Sequence, residues 1–222
     1  MQLYIMRHAE SLSNVGGRMI SVTDMELTPR GMAQAQRARQ HINQNFDFVF
    51  TSPLLRARQT AEILAGQAKI VICDELKEMN LGVLEGLTWE EVAQNFPQID
   101  TGRALSTISI PMGESYDCVQ SRCQSFIANS LSGLPEDACV LIVTHGITKR
   151  ILVNSLLNKL PECVDHLNWC DNTSYSIIEI SPENVRLLHL NERQHLAEYD
   201  LGAENFHVWS QISDKDYSQF GG

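Results

Sequence analysis

LYIMRHAES (residues 3–11) and VLIVTHG (residues 140–146) decide how this chain is read. Each is a short apolar run that stops at a histidine, Arg7-His8 in the first and His145-Gly146 in the second. Runs of this length, rich in Ile, Val and Leu, read as buried strands. Strand signals fall at 2–6, 47–51, 69–73, 138–144 and 174–180, with helical patterns between them. Thr28-Pro29 predicts an N-cap followed by proline at the first helical position, opening a helix to about residue 44. Ser52-Pro53 predicts the same start for a helix to about Leu64. Thr88 with Glu91 forms a capping box before a short helix ending near Pro97. Residues 114–131 and 147–157 carry two further amphipathic patterns.

This alternation predicts an α/β fold, a mostly parallel central sheet covered by helices on both faces. Ligands of such sheets bind beyond the carboxyl ends of strands. Arg7-His8, the stretch from Ser52 to Arg56, and His145 all fall at such ends. Functional side chains therefore converge from three separate parts of the chain.

A chain of 222 residues and 25.0 kDa is long enough for a sizeable core, and a single domain over 1–222 is expected. The irregular, weakly polar segment 100–113 is expected to form a loop or lid over the site. The aromatic-bearing tail, 192–222, is expected to pack on the core. No run is apolar over a membrane-spanning length and no signal-peptide pattern opens the chain, so no membrane partner and a cytoplasmic location are expected. Six cysteines lie without CxxC spacing and read as reduced thiols rather than disulfides or zinc ligands. The net charge of −10 argues against non-specific nucleic-acid binding. It leaves room for an anionic small molecule at a local basic cluster. A homodimer is the commonest arrangement for such proteins and the default here.

Phosphoryl transfer needs positioning and charge neutralisation more than covalent chemistry. A neutral imidazole is a competent nucleophile when its other ring nitrogen is fixed. Arginines match phosphate oxygens in bidentate geometry, and a general acid must protonate the leaving oxygen. His8 fits the nucleophile, with Arg7 beside it and Arg56 delivered by the helix after Ser52-Pro53. His145 fits a second imidazole donor. Glu78, in the glycine-bearing loop LKEMNLGVLEG (76–86), fits the acid. Glu85 in the same loop is the competing carboxylate and reads as structural. His41, His166, His189, His195 and His207 read as surface or packing residues, and Arg58 and Arg150 as solvated or salt-bridged.

MRHAESLSN (6–14) resembles the signature of the histidine phosphatase superfamily, which includes cofactor-dependent phosphoglycerate mutases and acid phosphatases. The likeness continues through LTPRGMAQA, TSPLLRARQTAEIL, LKEMNLGVLEG, PMGESYDCVQSR and VTHGITKRIL, and more weakly through NTSYSIIEI. The resemblance implies a three-layer αβα sandwich. It implies His8 as the phosphorylated residue, with Arg7, Asn14, Arg56 and His145 around the phosphate and Glu78 as proton donor. It requires no metal or other cofactor. Ala9 departs from the glycine usual after the histidine, and a methyl group there would strain a backbone of positive φ.

Other chemistries fail on spacing. His8-Ala9-Glu10 has the HxE pattern of zinc deaminases, but no PCxxC follows. There is no GxSxG elbow, no GxxxxGK[ST] loop and no cysteine followed six positions later by arginine. Arginines would also repel a cation from a two-histidine site. Within the resemblance, phosphoglycerate mutases carry a longer insertion with a paired arginine for the substrate carboxylate. Here only 66 residues separate Glu78 from His145, no Arg-Arg pair occurs, and 100–113 offers only Arg103. A phosphomonoester hydrolase acting on a small phosphorylated metabolite is therefore expected. A mutase-type phosphotransferase and a catalytically weak phosphate-binding or scaffold protein are the alternatives.

Overall fold

The computed structural model describes residues 1–97, 99, 105–167 and 170–197. Six strands form one sheet: β1 (Gln2–Arg7), β2 (Phe48–Thr51), β3 (Ile70–Ile72), β4 (Cys139–Thr144), β5 (Tyr175–Ile180) and β6 (Val185–Glu192). Their spatial order is β3-β2-β4-β1-β5-β6. β3, β2, β4 and β1 run parallel, while β5 pairs antiparallel with β1, and β6 antiparallel with β5. Helices α1 (Pro29–Ile42), α2 (Leu55–Ala65), α3 (Trp89–Asn95), α4 (Tyr116–Phe126), α5 (Gly146–Leu156) and α6 (Gln194–Ala197) connect or flank the strands.

Strand side chains alternate between faces, and this alternation builds two hydrophobic layers. Leu3 and Ile5 of β1 join Ile142 of β4, Phe126 of α4 and Leu152 of α5 on one face. Tyr4 and Met6 join Leu141 and Val143, Ala35 of α1, and Ala57, Ala61 and Leu64 of α2 on the other. The chain is thus the expected αβα sandwich. β4 lies between β1 and β2, so the carboxyl ends of three strands open side by side.

Five of the six strands match the expected runs. β6 escaped because both faces of its hairpin arm are largely solvated: Arg186, His189 and Glu192 interrupt any apolar alternation. Thr28 caps α1 through the Gly31 amide, and Thr88 with Glu91 closes the capping box of α3, as their spacing predicts. Ser52 does not cap α2. That helix begins at Leu55, and the Leu55 amide donates to Asp24 Oδ1 at 2.6 Å. A carboxylate from a distant loop has taken the cap and left Ser52 to other work.

The described part of the expected lid, 105–113, is anchored. Leu105 and Ile110 are buried, and Ser106 bonds to Asp165 through both its amide and its hydroxyl. Residues 100–104 of that expectation, Arg103 included, lie outside the described residues, as does 198–222 of the tail. The described end of the tail, α6, buries His195 and Leu196. No helix among the described residues is long and apolar enough to cross a membrane.

Candidate active site

Parallel strands β1 and β4 end level with one another, Arg7 opposite Thr144. The next residues, His8 and His145, bring their rings to 5.0 Å between centroids at an interplanar angle of 61°. Both are buried, with 3% and 0% exposure. Burial first, then the charges of Arg56 and Arg7, pushes the His8 imidazole well below the ordinary histidine range. Burial and the same arginines do the same to His145, with His8 and Arg122 adding to it. Both rings are neutral at pH 7.

The contacts of His8 assign its tautomer. Nδ1 lies 2.7 Å from the Ala9 carbonyl oxygen, which can only accept, so Nδ1 carries the proton. Nε2 is then the lone pair, and Arg56 Nε donates to it at 3.3 Å. The first turn of α2 delivers Arg56, whose Nη1 and Nη2 donate to the Thr23 and Ser21 carbonyls at 3.0 and 2.6 Å. All three of these partners are neutral, so none of these bonds spends the guanidinium charge on a carboxylate. Glu85 holds the loop that cradles it, accepting from the Ser21 amide and hydroxyl and from the Thr23 amide. Burial opposes the Glu85 charge, yet these bonds together hold its carboxyl below the usual range. Its structural reading is correct.

Arg7 is buried and donates from Nη1 to the Cys170 carbonyl at 2.7 Å. The segment after Cys170 clasps the Arg7-His8 backbone. The Thr173 amide donates to the Arg7 carbonyl, and Asn172 Nδ2 to the His8 carbonyl. Asn172 Nδ2 also reaches Asn14 Oδ1 at 3.2 Å, where the Ser11 amide donates as well. With its oxygen engaged, Asn14 has its NH₂ group to offer an anion.

Glu78 lies at the first turn of α5, half-buried. Its Oε2 accepts from the Ile147 amide at 3.1 Å, and Oε1 from the Thr148 amide and hydroxyl, each at 3.1 Å. The helix has no cap from its own N-cap residue, His145, so Glu78 supplies it. Burial lowers both Arg7 and Arg56, and at each the Glu78 charge works in the opposite direction.

The structure thus assembles Arg7, His8, Asn14, Arg56, Glu78 and His145 about one point. It adds Ser52, whose Oγ lies 2.8 Å from His145 Nε2, and Asn172. Ser52 was legible as a helix cap within the stretch at the carboxyl end of β2, with no sign of its bond to His145, and Asn172 stood in NTSYSIIEI with no local signal of a role. Ala9 does not adopt positive φ, so the methyl group in place of glycine introduces no backbone strain; it is buried against α1 and α2. Of the two readings of Arg150, the solvated one is overturned: the side chain is buried and donates to the Val164 carbonyl at 2.8 Å. Among the described residues no group of three or more His, Cys, Asp or Glu could hold a metal ion, and the Arg56 guanidinium occupies the direction from which His8 would ligate one.

The model of the histidine phosphatase superfamily (branch 1) matches residues 3–193. The chain belongs to the histidine phosphatase superfamily. It is 34% identical over 187 residues to the probable phosphoglycerate mutase GpmB of Erwinia tasmaniensis, covering 81% of this chain and 85% of that one. It is 29% identical over 212 residues to phosphoserine phosphatase 1 of Hydrogenobacter thermophilus, covering 91% and 97%. The solved mycobacterial glucosyl-3-phosphoglycerate phosphatase in complex with VO3 superposes with a TM-score of 0.79 at 28% identity, covering 86% of this chain and 98% of that one. Membership and these phosphatase relatives make the chain a phosphatase.

Proposed function

We propose that the chain hydrolyses a small phosphomonoester through a phosphohistidine on His8. One observation carries this reading: the His8 ring is pinned at Nδ1 by the Ala9 carbonyl while Nε2, unprotonated, faces a buried arginine. A lone pair held beside a cation is what an approaching phosphoryl group requires. A phosphatase relative whose structure is a complex with VO3, a phosphate-like oxyanion, is consistent with an oxyanion ligand for this fold.

In the first half-reaction His8 Nε2 attacks phosphorus, displacing Arg56 Nε onto a phosphoryl oxygen, and the P–O ester bond breaks. Arg7, Arg56, Asn14 and His145 neutralise the equatorial oxygens. Glu78, as general acid, passes a proton to the leaving oxygen. In the second, water attacks phosphorus, Glu78 takes its proton, the N–P bond breaks and inorganic phosphate leaves. The hydrolase reading over the mutase alternative rests on the short 78–145 stretch and the lack of a paired arginine.

The test is a direct comparison of two rates on the purified chain. Phosphate release from phosphoserine, 3-phosphoglycerate and p-nitrophenyl phosphate should exceed isomerisation of phosphoglycerate. Isomerisation outrunning release overturns the hydrolase reading in favour of the mutase. Neither reaction on any substrate overturns both in favour of a binding protein.

A further inference from the structure

We infer that Ser52 is a positioning residue that selects the tautomer of His145 and thereby makes Nδ1 the atom that donates to the phosphoryl group. The inference rests on the phosphatase reading for its consequence, but not for its geometry. Ser52 and His145 are both fully buried, and Oγ lies 2.8 Å from Nε2. Either atom could donate across that distance. Oγ also accepts from the Leu54 amide at 3.3 Å, so the hydroxyl already has an acceptor's role and keeps one hydrogen to place. Among the described residues His145 Nε2 is the acceptor that hydrogen reaches. A buried hydroxyl without an acceptor is strongly disfavoured.

Assigning the Ser52 proton to Nε2 makes Nε2 the lone pair of a neutral ring, and Nδ1 the N–H. Nδ1 is buried and, among the described residues, has no hydrogen-bond partner. A buried N–H without an acceptor, set beside two guanidinium groups and a nucleophile, marks a place for an anion. The opposite tautomer would aim a lone pair at the phosphoryl oxygens and repel them. The two histidines then work in complementary fashion. Each carries its proton on Nδ1, but His8 spends that proton on Ala9 and offers its lone pair, whereas His145 spends its lone pair on Ser52 and offers its proton. The displaced cap of α2 is part of the same arrangement: Asp24 caps the helix, so the Ser52 hydroxyl is free to face His145.

The test needs the intact chain, labelled with ¹⁵N at histidine, and inorganic phosphate as the probe. Two-bond ¹H–¹⁵N correlations distinguish the two neutral tautomers directly. The unsubstituted protein should show His145 as the Nδ1–H form, with a downfield shift of that proton on adding phosphate. An Nε2–H form overturns the inference whatever the activity. In Ser52→Ala, His145 should lose the single tautomer, and kcat on p-nitrophenyl phosphate should fall about tenfold, the rate equivalent of one hydrogen bond. Ser52→Cys keeps the volume and should show the same loss of tautomer if Ser52→Ala does not fold. An unchanged tautomer and unchanged kcat in a folded variant also overturn the assignment, while leaving hydrolysis by the parent intact. Should the parent hydrolyse nothing, the phosphatase reading fails and the tautomer spectrum still judges Ser52.

Discussion

His8 and Arg56 are coupled through a single atom pair, Nε2 and Nε, and both side chains are buried. In such a place a guanidinium is not replaceable by an ammonium, because lysine cannot contact His8, Ser21 and Thr23 from one planar fork. Arg56→Lys should therefore lower kcat/KM roughly a hundredfold to a thousandfold, the loss typical for removing one preorganised donor to developing charge. Steady-state kinetics read this, and a loss under threefold would mean that the arginine does not reach the phosphoryl group. The ionisation of His8 is equally specific. Burial and the two arginines keep its proton off, so the ring should stay neutral by NMR from pH 8 down to about pH 6, below which an exposed histidine is mostly charged. Titration at the ordinary value would contradict the pocket described.

Elements carry the consequences of contacts that no local stretch reveals. Glu78 was legible as a loop carboxylate near the site, but its place on the first turn of α5 depends on the sheet order, with β2 between β3 and β4, which spacing along the chain does not encode. Because it both caps that helix and faces the arginines, Glu78→Ala should lower stability by about 1 kcal/mol, as for a lost cap. The same change should slow turnover roughly a hundredfold or more. Denaturant unfolding alongside kinetics checks the pair; slowed turnover with unchanged stability would remove the capping role. Gly31 on α1 makes a second such link. A Cβ there would stand 1.9 Å from the Glu10 carbonyl oxygen, two residues beyond the nucleophile. Gly31→Ala should shift α1 or the Ala9-Glu10 turn and destabilise by about 1–3 kcal/mol. An unfolding midpoint equal to the parent's would show that the approach is looser. By contrast, Thr28 and Thr88 announced their helices correctly because their caps are local. Ser52 misled because the competing cap, Asp24, comes from 28 positions earlier in the chain.

At the scale of the whole molecule, strands β1, β2, β4 and β5 were legible as apolar runs because the middle of the sheet is buried on both faces, and the edge strand β3 because its residues, Ile70–Ile72, are apolar despite their exposure. β6 was not, because an exposed edge needs no apolar pattern. The same burial fixes the acid behaviour. His8, His145 and His195 all have lowered values in the fold, His195 to about 4, chiefly through burial. Above the unfolded value near 6.5 the histidines are neutral in both states and make no difference. As pH falls below it, the unfolded chain binds protons that the fold refuses, so stability declines by up to about 1.4 kcal/mol per pH unit for each histidine. For His195 that decline continues to about pH 4. Glu85, lowered in the fold, adds loss in the same direction at lower pH. Unfolding free energies should hold from pH 7.5 to about 6.5 and then fall steadily to about pH 4.5, and a profile flat over the lower range would contradict burial of these groups.

The central claim is that the phosphoryl group passes through His8. Brief incubation with a ³²P-labelled phosphomonoester, followed by quenching in base, should leave label that is acid-labile, base-stable and located on His8. His8→Ala should carry no label and release no phosphate. Phosphate release by His8→Ala at the parent's rate, with no label on the parent, would contradict the account.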